Sequence, residues 1–284
     1  MIDLSNWKEI YDTISSGRRE KYWLESPDKK QVGLFKYPKT DKSTDFISEF
    51  ISYKICEQLN IPVAKVSIAC LGNRIGSLSY RIDGQLLDGV TILSSFYEDY
   101  STKKMIDEKT NKYYSIEMIL TSLKEYGLDK DFIPVVIIDY LIGNSDRHHS
   151  NWALNIIDGN YYLAPLYDNG SSLCCYVEEE KIDSYFKDNC RFNALITTKS
   201  RSVIRIHGEK NKPTHIEMLN YILENYEHET LDFIDNILEN INEKFIDDLL
   251  AHDDISSLIS NNRKKLIKLF LLAKIEYLKN LILK

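Results

Sequence analysis

The sequence predicts an α+β fold in two lobes: a small, mainly-β N-terminal lobe with one helix (residues 1–82) and a larger α-helical C-terminal lobe (residues 83–284). Three observations predict it. Up to residue 82 the apolar residues fall in short alternating runs broken by turn clusters such as SPDKK and Gly72-Asn73-Arg74, the pattern of half-buried strands. One segment interrupts those runs with Ile47, Ile51, Ile55 and Leu59 at four-residue spacing, the stripe of a packed helix. From about residue 115 the spacing is helical as far as Ile142 and again from Pro213, with the polar stretch Gly143 to Gly170 and the segment that follows it, to about Gly208, between them. At 284 residues and 43% hydrophobic, the chain is long enough to give both lobes a core.

Taken in order, Trp7 to Ile14 reads as a short opening helix. Ser15, Ser16 and Gly17 then form a loop ahead of a strand at Tyr22–Leu24. In QVGLFKYP, Val32, Leu34 and Lys36 alternate onto one face of the next strand, so a lysine stands in phase with apolar neighbours. Thr44 or Ser43 can cap the helix Asp45–Leu59, which Asn60 and Pro62 end. On its wheel Glu49 lies beside Tyr53 and Cys56 at the border of the apolar face, while Glu57 falls within the apolar arc. Val63–Leu71 and Ile75–Ile82 complete a small sheet. Residues 83–112 show no firm period and are read as a connector with room for a helix.

Ser115 caps a helix to Tyr126 that Gly127 stops, and a second begins near Asp131 with Pro134 in its first turn, where the missing N–H does little harm. From Pro213 the pattern is helical to Lys284, opening on a capping box of Thr214 and Glu217. The last helix, from about Asn262, carries Lys264, Lys265, Lys268 and Lys274, a basic surface able to meet an acidic partner or a membrane, although solvation is the plainer reading.

The chemistry concentrates in GNSDRHHSNWALNIIDGNYYLAPLYDNG, Gly143 to Gly170. Asp146 stands in a polar loop after the apolar run Phe132–Ile142, and Asp168 follows the apolar segment Tyr161–Tyr167, so both carboxylates sit at element ends where side chains converge. Asn151 falls five positions after Asp146. That is the spacing of a kinase catalytic loop, in which the Asp accepts the substrate hydroxyl proton and the Asn holds a Mg²⁺. Asp168 then takes the other metal position, and two carboxylates with an amide oxygen make a hard-oxygen site for Mg²⁺. The pattern therefore points to phosphoryl transfer from ATP in a single kinase domain with a protein-kinase-like fold. The segment from Gly170 to about Gly208 is then the expected place of an activation segment. Lys36 becomes the candidate for the strand lysine on the α and β phosphates, Glu49 its helix partner and Glu57 the competitor. The loop Ser15-Ser16-Gly17 takes the phosphate-covering place with one glycine where three are usual, and the backbone at Ser79, Tyr80, Arg81 and Ile82 is where an adenine edge would bond. His148, counted with the nucleotide-facing residues, is expected to pack under the loop and orient it. Zinc at His148 and His149 is disfavoured, because adjacent histidines point apart and no Cys or third His lies at ligand spacing.

GNSDRHHSN followed by LAPLYDNGSSL resembles the HipA-like serine/threonine kinases, especially compact members without the extra N-terminal subdomain, and extends upstream to about Ser15. Phosphatidylinositol kinases carry a similar G-D-R-H-x-x-N pattern. The resemblance implies a protein serine/threonine kinase using ATP and Mg²⁺, the toxin of a toxin–antitoxin module with an antitoxin partner, and control by autophosphorylation of the loop serines. It also favours Glu49, since the family places a Glu about ten residues before a Leu-Gly-x-x-x-Pro-like segment, here filled by LNIPV. A lipid or small-molecule kinase, suggested by DRH and the basic last helix, is the first alternative. A nucleotide-binding pseudokinase, suggested by the poor glycine loop, is the second.

Composition narrows the partners. A net charge of −7 argues against a general nucleic-acid binder, which needs clustered Lys and Arg. The five cysteines, Cys56, Cys70, Cys174, Cys175 and Cys190, give neither a disulfide framework nor C-x-x-C spacing, and a reducing cytoplasm is the simplest compartment. Cys174 and Cys175 read as packed thiols and Glu178–Glu180 as a solvated acidic face. No run is long enough to span a bilayer, and MIDLSNWKEIYD has no signal-peptide core.

Overall fold

A computed structural model describes residues 1–10 and 20–283. Its N-terminal part holds strands β1 (Ile2–Asp3), β2 (Lys8–Glu9), β3 (Lys21–Glu25) and β4 (Val32–Lys36), helix α1 (Asp45–Gln58), and strands β5 (Val66–Leu71) and β6 (Arg74–Tyr80). They form one sheet in the order β1-β5-β6-β4-β3-β2, antiparallel except where β1 lies beside β5. The expected opening helix is corrected over its described part: Lys8 and Glu9 pair with Glu25 and Leu24, and the Ile10 N–H donates to Trp23 O. Leu4 and Trp7 pack into the small core on that sheet, so the ladder beside β3 wins over local helix propensity. Residues 11–14, and the loop Ser15-Ser16-Gly17, lie outside the described residues.

Neither Thr44 nor Ser43 caps α1. Thr44 occupies the cap position with φ −110° and ψ 28°, not the extended backbone that presents a side-chain oxygen to the first turn, while the Ser43 hydroxyl donates to Asp45 Oδ1 at 2.7 Å. The alternation in β4 separates two faces as the sequence indicates. Gly33 and Phe35 point into the core, and Leu34 and Lys36 line the cleft beneath the sheet.

The remainder runs β7 (Gln85–Asp88), α2 (Gly89–Phe96), β8 (Tyr100–Ser101), β9 (Ile106–Asp107), β10 (Lys112–Tyr113), α3 (Ile116–Lys124), α4 (Ile133–Ile142), β11 (Ala153–Ile157), β12 (Asn160–Leu163), α5 (Ile182–Lys187), α6 (Asn189–Ile196), α7 (His215–Asn225), α8 (Glu227–Asn240), α9 (Glu243–Leu250) and α10 (Asn261–Ile282). The stretch without a readable period thus holds β7, which pairs with β11, a helix whose first turn donates to Asp88, and three two-residue strands too short to show alternation. Ser115 accepts from the Met118 N–H at the start of α3, and Thr214 and Glu217 form both halves of the capping box on α7. Helix α4 is buried along nearly its whole length and packs against α7, α8 and α10, which makes it the centre of the larger core.

The basic last helix is corrected in part. Lys274 is 2% exposed and Lys268 is paired with Asp247 and Glu243 at 2.7 and 2.9 Å, so two of the four lysines are engaged within the molecule, while Lys265 stays exposed beside the Phe186 ring and Lys264 is half-buried. No helix among the described residues is long and apolar enough to cross a membrane. All five cysteines are free thiols, with burial pushing Cys174 and Cys175 up to about 12.

Candidate active site

Strand β4 ends on Lys36, which is 5% exposed; its Nζ donates to Glu49 Oε1 at 3.1 Å and to Asp168 Oδ1 at 2.9 Å. Glu49 comes from the second turn of α1, is 1% exposed, and takes the Ser77 hydroxyl on its other oxygen at 2.8 Å. The competing Glu57 is set aside. Its carboxylate is half exposed and is held by the Tyr53 hydroxyl and Lys54, on the helix side turned from the cleft. One ammonium therefore gathers a helix carboxylate and a carboxylate distant by 132 residues.

Main-chain contacts fix that meeting. The segment before Asp168 pairs with the turn after α1: Ala64 donates to Leu166 O and Leu166 to Pro62 O, both at 2.8 Å. Beyond Asp168, Ser48 donates to Ser172 O at 3.0 Å and the Thr44 N–H to Cys175 O at 3.1 Å. Gly170 is needed for this approach, because a Cβ there would stand 2.9 Å from Asp45 O. Asp168 itself has φ +55°, a left-handed conformation that costs a non-glycine residue about 1–2 kcal/mol and persists where neighbours enforce it.

The enforcing group is Arg147, fully buried. It donates to both oxygens of Asp139 on α4 (3.0 and 2.8 Å), to the carbonyls of Asn151 (2.9 Å) and Tyr167 (3.1 Å), and to Asn169 Oδ1 (2.5 Å). It thereby grips the far end of the loop and both residues flanking Asp168. Asn144 completes the frame, donating to Asp139 Oδ1 and accepting the Asp146 N–H on its own Oδ1. The sequence reading missed Arg147, Asp139 and Asn169. A signal existed, since Asp139 is a lone carboxylate in the apolar run Ile133–Ile142 and a buried carboxylate requires a partner.

Asp146 is half-buried at the cleft floor. Burial raises its carboxyl above the ordinary range; Asp168 adds to this, while His148, Lys39 and Lys212 oppose it. Asn151 donates Nδ2 to Asp146 O at 2.7 Å, which leaves its acceptor Oδ1 as the atom to offer a cation. With Asp168 this is a hard-oxygen donor set of the kind Mg²⁺ takes. The histidine roles are exchanged relative to expectation. His149 is the one packed beneath the loop, with Nδ1 2.8 Å from the Tyr100 hydroxyl, whereas His148 faces the cleft and accepts the Ser150 N–H on Nδ1. The alternation of a tight turn sends adjacent side chains to opposite sides.

These groups surround a cleft of about 860 Å³, lined above by Lys36, Ser79, Tyr80, Arg81 and Ile82 and below by Asp146, His148, Asn151 and Asp168. The N–H groups of Tyr80 and Arg81 are taken by Lys65 O and Val32 O, and Asp83 O accepts from Asn155, so Ile82 is the connector residue best placed to present its amide. Lys39 and Tyr176, which the sequence reading did not single out, also line the cleft, the lysine ammonium lying 5.2 Å from the ring centroid.

The sequence model of the HipA-like C-terminal domain matches residues 13–244. The chain belongs to this family. Among solved structures, this HipA-like chain is similar to a Helicobacter pylori proinflammatory kinase, CtkA, with 19% identity, a TM-score of 0.80, and coverage of 97% of this chain and 95% of that one. It is also similar to HipA of the Shewanella oneidensis MR-1 toxin–antitoxin system, solved with HipB and operator DNA, at 17% identity and a TM-score of 0.62, covering 95% of this chain and 66% of that one. At these identities the likeness is one of fold, a mixed α/β kinase fold. A comparison with curated proteins gave no match.

Proposed function

We propose that this HipA-like protein is a serine/threonine protein kinase that transfers the γ-phosphoryl group of ATP to a protein hydroxyl with Mg²⁺ bound. The observation that carries the reading is the closure of Lys36 on both Glu49 and Asp168 directly above Asp146 and Asn151. Lys36, oriented by Glu49, holds the α and β phosphates. Asn151 Oδ1 and Asp168 would hold Mg²⁺, which when bound neutralises charge on the phosphate oxygens. Asp146 accepts the acceptor hydroxyl's proton as that oxygen bonds to phosphorus and the bond to ADP breaks. Its raised affinity for a proton suits a base, and the Ile82 amide is the group for the adenine edge.

A protein acceptor is preferred to a lipid one because two of the four lysines that would make the last helix a membrane-facing surface are engaged within the molecule, Lys274 buried and Lys268 paired. The pseudokinase reading has against it that all five expected residue types are present and converge. The toxin role, an antitoxin partner and phosphorylation of Ser15 or Ser16 draw support from family membership, and for the first two from the fold likeness to HipA. Incubation with labelled ATP, Mg²⁺ and a cell lysate tests the reading. Label is expected on a protein, to be lost by roughly 10² to 10⁴ in rate in Asp146→Asn with ATP affinity kept. Label on lipid instead, or undiminished labelling by the variant, overturns it. Growth arrest on expressing the parent but not Asp146→Asn tests the toxin role.

A further inference from the structure

Behind the catalytic loop, on the side away from the cleft, lies a row of buried polar groups that the transfer chemistry does not use. Lys274, from the middle of α10, places its Nζ 3.0 Å from the Ser200 hydroxyl, between the rings of Tyr140 and Phe270. Ser200 Oγ is 2.9 Å from His215 Nδ1, and His215 Nε2 is 2.8 Å from the backbone oxygen of Asn144. All but Asn144 O belong to side chains, and each of these residues is at most 7% exposed.

The proton order follows from donor and acceptor chemistry. Asn144 O can only accept, so Nε2 carries the imidazole proton. Burial keeps the ring neutral, pushing His215 down to about 3, so Nδ1 is bare and accepts from Ser200. The Ser200 hydroxyl has then given its single proton, and its lone pair takes an N–H from Lys274, which has one to give in either charge state. The row therefore runs one way, from Lys274 to Asn144.

Asn144 is where the row reaches the site. Its N–H donates to Asp139 O, its Nδ2 to Asp139 Oδ1, and its Oδ1 receives the Asp146 N–H. With His215 on its carbonyl, each of its four polar groups has a partner, and turning any one of them moves the amide that positions Asp146. The stem bringing Ser200 and His215 together is itself closed by His215 N–H to Ser200 O and Ser202 N–H to Pro213 O. Lys274 lies outside the stretch matched by the family model, residues 13–244, so the end of the row is supplied by α10 from beyond that stretch.

We propose that Lys274, Ser200 and His215 are positioning residues for phosphoryl transfer: Lys274 fixes the Ser200 hydroxyl as a donor, which fixes the His215 tautomer, which holds Asn144 and through it Asp146. The proposal rests on Asp146 being the base. It assigns to the C-terminal helix an effect on turnover rather than on nucleotide binding, because the row touches the loop at Asn144 and nothing that faces the nucleotide.

Two measurements test it, one independent of any activity. In protein labelled with ¹⁵N at histidine, His215 is expected as the Nε2–H tautomer, and Lys274→Met is expected to raise the Nδ1–H form. An Nδ1–H ring in the parent overturns the proposal whatever the enzyme does. In kinetics, His215→Leu is expected to lose on the order of 10²-fold in turnover, as a small misplacement of a catalytic group does, with Mg-ATP affinity kept within about threefold. His215→Gln, whose amide N–H reaches toward Asn144 O, recovers most of it. Unchanged turnover in His215→Leu, equal loss of affinity and turnover, or a His215→Gln as slow as His215→Leu each overturns it. Should His215→Leu fail to fold, Ser200→Ala, which deletes one hydroxyl, carries the same test. Inactivity of the parent itself would count against the kinase reading and leaves the tautomer to decide this one.

Discussion

Arg147 and Asp139 meet through two parallel hydrogen bonds of 3.0 and 2.8 Å, both side chains almost wholly buried. The pair joins the loop that carries Asp146 to the central helix α4, and the guanidinium's remaining N–H groups reach the residues on either side of Asp168. A lysine could not replace it, because a point charge lacks the planar fork that serves four partners at once.

Asp139→Ala would leave that guanidinium buried and uncompensated. Breaking a buried pair from one side costs about 3–5 kcal/mol, which in a chain of this size lowers Tm on the order of 10 °C. Differential scanning calorimetry checks it, and a shift under about 3 °C would show that water reaches Arg147.

Lys36→Met removes the counter-charge of Glu49, whose other carboxylate oxygen still accepts the Ser77 hydroxyl at 2.8 Å. Stability is expected to fall by about 3 kcal/mol, and adding Glu49→Gln should return part of it by removing the stranded charge. Urea denaturation of the single and double variants reads this directly. A double variant less stable than Lys36→Met would contradict the pairing.

Asp168→Asn keeps the shape of the side chain and removes its charge. Mg-ATP affinity is expected to fall at least about tenfold, while ATP affinity in EDTA changes little. Calorimetric titration with and without Mg²⁺ distinguishes loss of a metal ligand from loss of the fold. Equal affinities for parent and variant in Mg²⁺ would remove Asp168 from that role.

Acid should destabilise the protein through two histidines. Burial pushes His149 down to about 4 and His215 down to about 3, against an ordinary 6.5. Below pH 6.5 the unfolded chain therefore binds protons that the folded one does not, so stability is full above that pH and falls toward pH 4. Each histidine contributes on the order of 1–2 kcal/mol to the loss between pH 7 and 5. Denaturation at those two pH values should show a smaller drop in His149→Gln than in the parent, and an equal drop would place that imidazole in water.

Sequence alone determined the strands that alternate, the helix stripe of α1, the capping box at Thr214 and Glu217, and the spacing that marks Asp146, Asn151 and Asp168. These are local signals, carried by period or by neighbours within a few residues. It also put Lys36 on the cleft face, because phase in a strand is a local property. Tertiary structure decided what depends on distant partners. The wheel and the resemblance favour Glu49 over Glu57, but its meeting with Lys36 depends on the packing of α1 on the sheet and on Ser172, which turns that helix side to the cleft. Residues 8–9 became an edge strand because β3 offered a ladder. Lys274 left the basic surface for the interior because Ser200 and two aromatic rings receive it, and His149 took the place beneath the loop through Tyr100. Arg147 shows the division within one residue. Its place in the motif is plain in the chain, but its work depends on Asp139, Asn151, Tyr167 and Asn169, which only folding brings within reach of one guanidinium.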